Sequence, residues 1–459
     1  MSKKYDFQYI VIGSGPAGIT VATTLAKGKK GVALVEGRFF GGSNLNTRDV
    51  PYTAALDFAH TYAKVSSSPE FANQDFSVNL PAVIARTQKA TAATVNSEKA
   101  LCEASSVVYL SGYANFLDAH AIAVNDKKIT SAHFILATGS HLNTQDITGI
   151  DTVPFLNPET AIKVRRLPRV IAVIGAGSTG CEIASFFAEL GSKVVLLEAA
   201  NRILPQEDTE VSTTITDYFA HQLGINVLAN CKVVAIGQDA TSKYIIFRYG
   251  TVEKMVRVEE IALATGSLPN TDSGLENAKV KYKDTGIIVN KLFETSAKHI
   301  YAIGDCIGGE SSTERAYQQG LTLATNIIKK GKNPVNYCGT TRFTNTPLQI
   351  ATVDANEQSL KKQGRKYKKS VINLKETTAG QIDGLEYGFI KLLANKNRYI
   401  IGATIVAPHA GLLAEEIALA IRHHHTAVEL ASTPHLINSY NQAIKLAARN
   451  LVIKKKSPK

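Results

Sequence analysis

Two copies of one strand–turn–helix–strand plan predict an α/β fold for this chain of 459 residues. The first copy turns through Gly13-Ser14-Gly15-Pro16-Ala17-Gly18 and closes on Glu36. The second turns through Gly175-Ala176-Gly177-Ser178-Thr179-Gly180 and closes on Glu198. In both, the acid stands 18 residues past the last glycine. A lone glycine-rich turn is a weak signal. The same spacing twice, each time between an apolar run and a helical pattern, marks two Rossmann-like dinucleotide-binding domains.

The elements follow in order. Tyr9-Ile10-Val11-Ile12 has the length and apolarity of a buried parallel strand. Ile19 to Lys27 carries apolar residues at helical spacing, and Val32-Ala33-Leu34-Val35 is the next strand. Val170 to Ile174, Cys181 to Leu190 and Val194 to Leu197 repeat this pattern. In each turn the first glycine permits the tight bend, the second lets the backbone approach a pyrophosphate, and the third lets helix and strand pack closely. The pyrophosphate then meets free N–H groups and the positive end of the helix dipole. The closing glutamate accepts hydrogen bonds from a ribose. At Glu198 this favours NADH, because a 2′-phosphate would meet a like charge, although Arg202 lies close by in sequence.

Length and composition bound the rest. The chain is long enough for about three domains, and its 44% hydrophobic content is ordinary for a globular protein. No apolar stretch approaches the length of a membrane-spanning helix, so no membrane insertion is expected. Met1 to Phe7 is short and polar and runs into the first strand, unlike a signal peptide. The five cysteines, Cys102, Cys181, Cys231, Cys306 and Cys338, form no CxxC or CxxxxC pair. That fits a cytoplasmic protein and gives no metal-site signature. The net charge of +12, with clusters at Lys361 to Lys369 and Lys454-Lys455-Lys456, comes without any nucleic-acid module, so it reads as solvated surface rather than nucleic-acid binding. His423-His424-His425, placed on a helix, would point in three directions, which reads as surface or interface packing.

The order of motifs resembles that of the class I pyridine nucleotide-disulfide oxidoreductases, the group of glutathione reductase, dihydrolipoamide dehydrogenase and mercuric reductase. The likeness covers nearly the whole chain. The first turn matches the family's FAD site, Gly41-Gly42-Ser43 the turn after the second FAD strand, and Gly112-Tyr113-Ala114 the segment at the FAD adenine. Ala137-Thr138-Gly139 and Ala264-Thr265-Gly266 match the turns that close the two nucleotide domains. Ile300-Tyr301-Ala302-Ile303-Gly304-Asp305 matches the second FAD motif, with Asp305 on the ribityl chain, and Ala316 and Gly320 fit the next helix. The resemblance implies an FAD domain over residues 1–150 and 271–335, an NADH domain over 151–270 between them, and a C-terminal α/β dimerisation domain over 336–459. Phe343-Thr344 to Val353, Phe389-Ile390-Lys391-Leu392 and Ile401-Gly402-Ala403 resemble strands of that last domain, and Ala414 to Ile421 one of its helices. A homodimer is implied, each partner completing the other's site.

The departures from the family bear on function. Where relatives carry two redox cysteines, this chain reads Gly41-Gly42-Ser43-Asn44-Leu45-Asn46-Thr47-Arg48-Asp49-Val50-Pro51-Tyr52, with Asn44 and Asp49 at the cysteine positions. Neither forms a thiolate or a mixed disulfide. The family's C-terminal His and Glu fall on Ile437 and Gln442, with His435 near enough to substitute. A family lysine after the motif proline pairs with a glutamate retained here as Glu182; its positions are Tyr52 and Thr53. The implied activity is NADH-dependent reduction, through flavin, of a small non-disulfide electron acceptor such as a quinone, as in family members without the dithiol. Asp49 could relay a proton to that acceptor, or cap a helix beginning near Pro51. Arg48 could pair with Glu182 or Asp49, and His435 could donate a proton from the partner subunit or simply pack at the interface. A disulfide reductase built on other cysteines, Cys306 among them, and a redox-silent flavoprotein remain as alternatives.

Overall fold

In a computed structural model, the structure describes residues 5–71, 77–144 and 147–453. The basic tail Lys454-Lys455-Lys456 and the residues before Tyr5 lie outside the described residues. The chain forms two compact units. One comprises Met1–Ala55, Asn79–Asn143 and Gly266–Asn336, the other Leu56–Val78, Thr144–Thr265 and Tyr337–Lys459.

The first unit is built on a sheet whose parallel strands are Val108–Ser111, Val32–Glu36, Phe7–Ile12, Lys127–Leu136 and Ile300–Ala302, in that spatial order. Ile10, Val11, Leu34, Phe134 and Ile135 are fully buried. Helices cover both faces of such a sheet, which is why its strands read as unbroken apolar runs. The helix Pro16–Lys27 starts with proline at its first position, where no N–H partner is lost, and buries Ile19, Val21, Ala22 and Leu25. It packs against the helix Thr313–Lys329. At that crossing a Cβ on Gly320 would come within 2.6 Å of the Ala17 carbonyl oxygen, so only glycine permits the approach.

The second unit holds a smaller parallel sheet in the order Asn226–Leu228, Lys193–Leu197, Val170–Ile174 and Glu260–Leu263. The helix Ser178–Glu189 packs on it through Cys181, Ile183, Ala184, Phe186 and Phe187. A five-stranded antiparallel sheet follows in the order Thr341–Thr344, Gln349–Asp354, Ile400–Ala407, Phe389–Ala394 and Lys368–Asn373. Strand alternation divides its faces. Ile390, Leu392 and Ala394 join the apolar core with the helices Ala410–Arg422 and Asn441–Val452. Lys391, between them in sequence, faces the other way, and it is fully buried against carboxylates.

Two local expectations are corrected. His423-His424-His425 lie just beyond the helix Ala410–Arg422 rather than on it, because His424 takes a left-handed φ of 55° that a helix cannot continue. The helix expected near Pro51 begins at Asp49, which is therefore its first residue and not its cap. Among the described residues no helix is long and apolar enough to cross a membrane.

Candidate active site

The two glycine turns share one geometry. Gly13 sits at φ +103° and Gly175 at φ +97°, a region side chains rarely enter. A Cβ on Gly18 would stand 1.9 Å from the Gly13 carbonyl oxygen, and on Gly180 1.8 Å from that of Gly175. The middle glycines differ: a Cβ on Gly15 or Gly177 meets nothing within 4 Å. Each of these two residues precedes a helix that no side chain caps. The outer glycines thus answer to the fold, while the middle ones face open space in front of uncapped N–H groups. That is the shape a pyrophosphate needs.

The closing acids are held alike. Glu36 accepts hydrogen bonds from the Ser14 N–H at 2.9 Å and the Arg38 N–H at 2.8 Å. Glu198 accepts them from the Ala176 N–H at 2.7 Å and the Ala200 N–H at 2.8 Å. Each carboxylate is fixed to the loop it faces. Arg202 points elsewhere. Its guanidinium donates to the carbonyls of Glu207 at 2.7 Å and Pro205 at 2.9 Å, to Ser212 Oγ at 2.6 Å and to Gln358 Oε1 at 3.0 Å.

Around the first turn, other anticipated residues come together within one unit. Ala137 lies against Gly13 and Gly18, and Gly42, at φ +61°, places a would-be Cβ 2.9 Å from the Gly15 Cα. Ser43 follows in the short helix Gly42–Asn46. Thr138 and Gly139 bond to Asn270. Asp305 lies in the 3-10 turn Gly304–Ile307 and accepts a bond from Ser140 Oγ at 3.1 Å. Ala316 is buried on the adjoining helix. Ala114 opens the strand Ala114–Asp118, and the ring of Tyr113 before it lies over Gly37, next to Glu36. Gly266, at the start of a segment of the first unit, takes φ +90°, as its counterpart Gly139 takes φ +71°.

Asn44 and Asp49 meet directly. Asn44 Nδ2 donates to Asp49 Oδ2 at 2.5 Å, and Thr313 Oγ1 donates to the same oxygen at 2.5 Å. Asn44 Nδ2 also reaches Thr313 Oγ1 at 3.1 Å. Asp49, the first residue of its helix, is exposed. Thr313 went unrecognised in the sequence; its only signal is its place at the first position of the helix after the Asp305 motif. A cavity of about 550 Å³ opens beside this group, walled by Asn44 and Thr313, by the apolar Ile19, Leu45, Leu101 and Tyr317, and by the charged Lys27, Glu98 and Glu314.

No cysteine takes part in this cluster. All five are free. Burial pushes the Cys102 and Cys306 thiols up to about 11, and raises those of Cys181, Cys231 and Cys338. Cys306 is fully buried and donates to the Ile303 carbonyl at 3.1 Å. None is shifted toward the reactive thiolate.

In the second unit, Glu182 Oε1 accepts the Asn345 N–H at 2.8 Å. The His435 side chain is 4% exposed. Its Nδ1 lies 2.8 Å from the Thr433 carbonyl and its Nε2 2.7 Å from Glu416 Oε1, so acceptors occupy both ring nitrogens. Asn441 holds the other Glu416 oxygen at 2.8 Å. Of the described side chains, one group of Asp208, Glu210 and Glu357 is close enough to hold a metal ion. The ammonium of Lys391 sits among these three carboxylates, 2.6, 3.5 and 2.9 Å away.

Two nucleotide turns in one α/β chain, followed by an antiparallel sheet with helices, define a pyridine-nucleotide-linked flavoprotein class. The family model for pyridine nucleotide-disulphide oxidoreductase matches residues 7–320, and that for the dimerisation domain of the same family matches 340–448. The chain belongs to this family, whose members use FAD and NAD(P)H. It is 30% identical to a dihydrolipoyl dehydrogenase of Chlamydia pneumoniae, covering 94% of each chain. It is 28% identical to a mercuric reductase of Staphylococcus aureus, over 96% of this chain and 82% of that one. Its fold matches that of LpdA from Mycobacterium tuberculosis with a TM-score of 0.88 at 22% identity, over 97% of this chain and all of that one.

Proposed function

We propose that this chain is an FAD-dependent NADH oxidoreductase that reduces a small non-disulfide acceptor such as a quinone. The observation that carries this reading is the Asn44–Asp49–Thr313 cluster: a hydrogen-bonded polar group stands where the family resemblance would put a dithiol. Elsewhere in the chain four buried thiols and the half-buried Cys338, all raised by burial, argue against a disulfide centre at another place.

When bound, the two cofactors supply hydride transfer from nicotinamide to flavin. The chain's own residues bind, orient and handle protons. Gly13, Gly15 and Gly18 with Pro16 and Ala17 would cradle the FAD pyrophosphate, Glu36 its ribose, Ala114 its adenine side and Asp305 its ribityl chain. Gly42, Ser43, Ala137, Thr138, Gly139 and Ala316 would line the same site. Gly175, Gly177 and Gly180 would cradle the pyrophosphate of NADH, with Glu182 on the helix that follows; Gly266 would be a further cofactor-binding residue. Glu198 would accept the adenosine ribose hydroxyls. Arg202 already donates to several oxygen acceptors rather than standing ready for a 2′-phosphate, which supports NADH over NADPH.

The acceptor would enter the cavity beside Asn44 and Thr313, whose mixed walls set Ile19, Leu45, Leu101 and Tyr317 beside Lys27, Glu98 and Glu314 and so suit a small ring with polar substituents. Asp49 Oδ2 accepts from two donors, which would leave Oδ1 to pass a proton. His435 is less suited to that task, since both its ring nitrogens already face acceptors.

The test is anaerobic steady-state kinetics with NADH and two acceptors, a para-quinone that takes up protons and ferricyanide that takes only electrons. Asp49→Asn should lower kcat with the quinone by roughly 100-fold and change it with ferricyanide by less than about threefold. Equal losses with both acceptors would remove Asp49 from proton transfer. No turnover of either acceptor by the unaltered protein would sink the functional reading.

A further inference from the structure

The C-terminal antiparallel sheet carries a polar row where a sheet interior is normally apolar. Arg342, Thr352, Thr404 and Lys391 are direct cross-strand partners on four successive strands. Three of the four reach the segment that follows the second nucleotide turn. Arg342 Nε donates to Glu207 Oε1 at 3.0 Å, and Thr352 Oγ1 donates to Glu207 Oε2 at 2.6 Å. Lys391 Nζ lies 2.6 Å from Asp208 Oδ2. Glu207 and Asp208 are 8% and 1% exposed, so their carboxylates are largely shielded from water and each bond to them counts for more.

That segment touches the turn itself. The Leu204 N–H donates to the Ala176 carbonyl at 2.8 Å, inside the second glycine motif. Arg202 fixes the segment's course through the carbonyls of Pro205 and Glu207 and through Gln358. The sheet's first strand then grips the other flank of the motif. Thr344 Oγ1 is hydrogen-bonded to Ser178 Oγ, at the first residue of the helix that follows the turn. One helical turn later, on the same side, Glu182 Oε1 accepts the Asn345 N–H.

We infer that the C-terminal sheet braces the second glycine turn from both flanks, so that Arg342, Thr344 and Thr352 are positioning residues for the nicotinamide nucleotide. They touch no nucleotide themselves. They hold the open N–H groups around Gly177 in the arrangement that receives its pyrophosphate. Affinity for the dinucleotide is then set in part by a sheet that contributes no glycine motif. The inference rests on the reading of the second turn as the NADH site.

The FAD-loaded full-length protein separates the possibilities. Its affinity for NAD+ is measured by calorimetry, and KM and kcat for NADH are measured with ferricyanide. Thr344→Val and Arg342→Met should each weaken NAD+ binding and raise KM by roughly three- to tenfold, with kcat changed by less than about twofold and FAD content unaltered. Thr344→Ser, which keeps the hydroxyl, should restore both constants. A melting temperature that falls in Thr344→Val and Arg342→Met while Kd and KM stay at the unaltered values would overturn the inference and leave these contacts merely structural. Absence of saturable NAD+ and NADH binding in the unaltered protein would overturn the functional reading, and this inference with it.

Discussion

Single atoms decide the roles of the glycines. Gly177 and Gly180 stand three residues apart, yet a Cβ meets nothing at the first and lies 1.8 Å from a carbonyl oxygen at the second. Gly180→Ala should therefore lower stability by at least about 2 kcal/mol, seen as a lower melting temperature, because backbone has to move. Gly177→Ala should melt within about two degrees of the unaltered protein yet lose at least tenfold in NADH affinity, because the methyl fills the space in front of the helix. Equal losses of stability in the two would contradict the division between fold and site. The motif spacing predicts these separate roles in the sequence, and the crowding at Gly180 matches the packing part of that expectation. The contact of Thr313 with Asp49 was not legible there, because 264 residues separate them and no local pattern joins a helix start to a distant loop. His435 was legible as a candidate, but a sequence does not show that Thr433 and Glu416 occupy its two nitrogens.

At the scale of elements, the parallel strands were legible because burial on both faces leaves an unbroken apolar signature, as in Val170–Ile174. The antiparallel sheet was partly so. Phe389-Ile390-Lys391-Leu392 reads as a strand, with nothing in it to say that its lysine is fully buried. The partners lie in other elements, Asp208 ahead of the helix Thr209–Gln222 and Glu357 in the helix Glu357–Lys362. Desolvation works against the charged forms of both Lys391 and Glu357. Their mutual hydrogen bonds, with Asp208, Tyr367 and Lys369, outweigh it, so Lys391 is raised and Glu357 is held down at about 2. Lys391→Ala leaves buried carboxylates uncompensated and should cost about 3–5 kcal/mol in unfolding free energy, measured by denaturant titration. A loss under 1 kcal/mol would mean that water already reaches the cluster. The pH dependence follows in sign. A carboxylate whose folded pKa is depressed adds stability above its ordinary value of 4.5, and that stability drains away as the pH falls toward 2. Glu357→Gln should flatten the decline of stability over that range.

The whole molecule carries a dimerisation domain of its family over residues 340–448. In that part Leu412, Leu419, Leu436 and Ile437 are between 59% and 76% exposed, which is costly for aliphatic side chains left in water. A homodimer that covers them should sediment at twice 49.4 kDa. The double change Leu436→Glu with Ile437→Glu should shift it toward a single chain; a dimer of unchanged strength would place the interface elsewhere. Electron flow is the larger question at this scale, because relatives named dihydrolipoyl dehydrogenase and mercuric reductase share the architecture. An anaerobic titration of the FAD-loaded protein with NADH, with thiols counted in denaturant before and after, addresses it most directly. The account predicts complete bleaching of the flavin at one NADH per FAD, with all five cysteines of the chain titrating as thiols throughout. Consumption of two NADH per FAD, with two thiols appearing only after reduction, would contradict it.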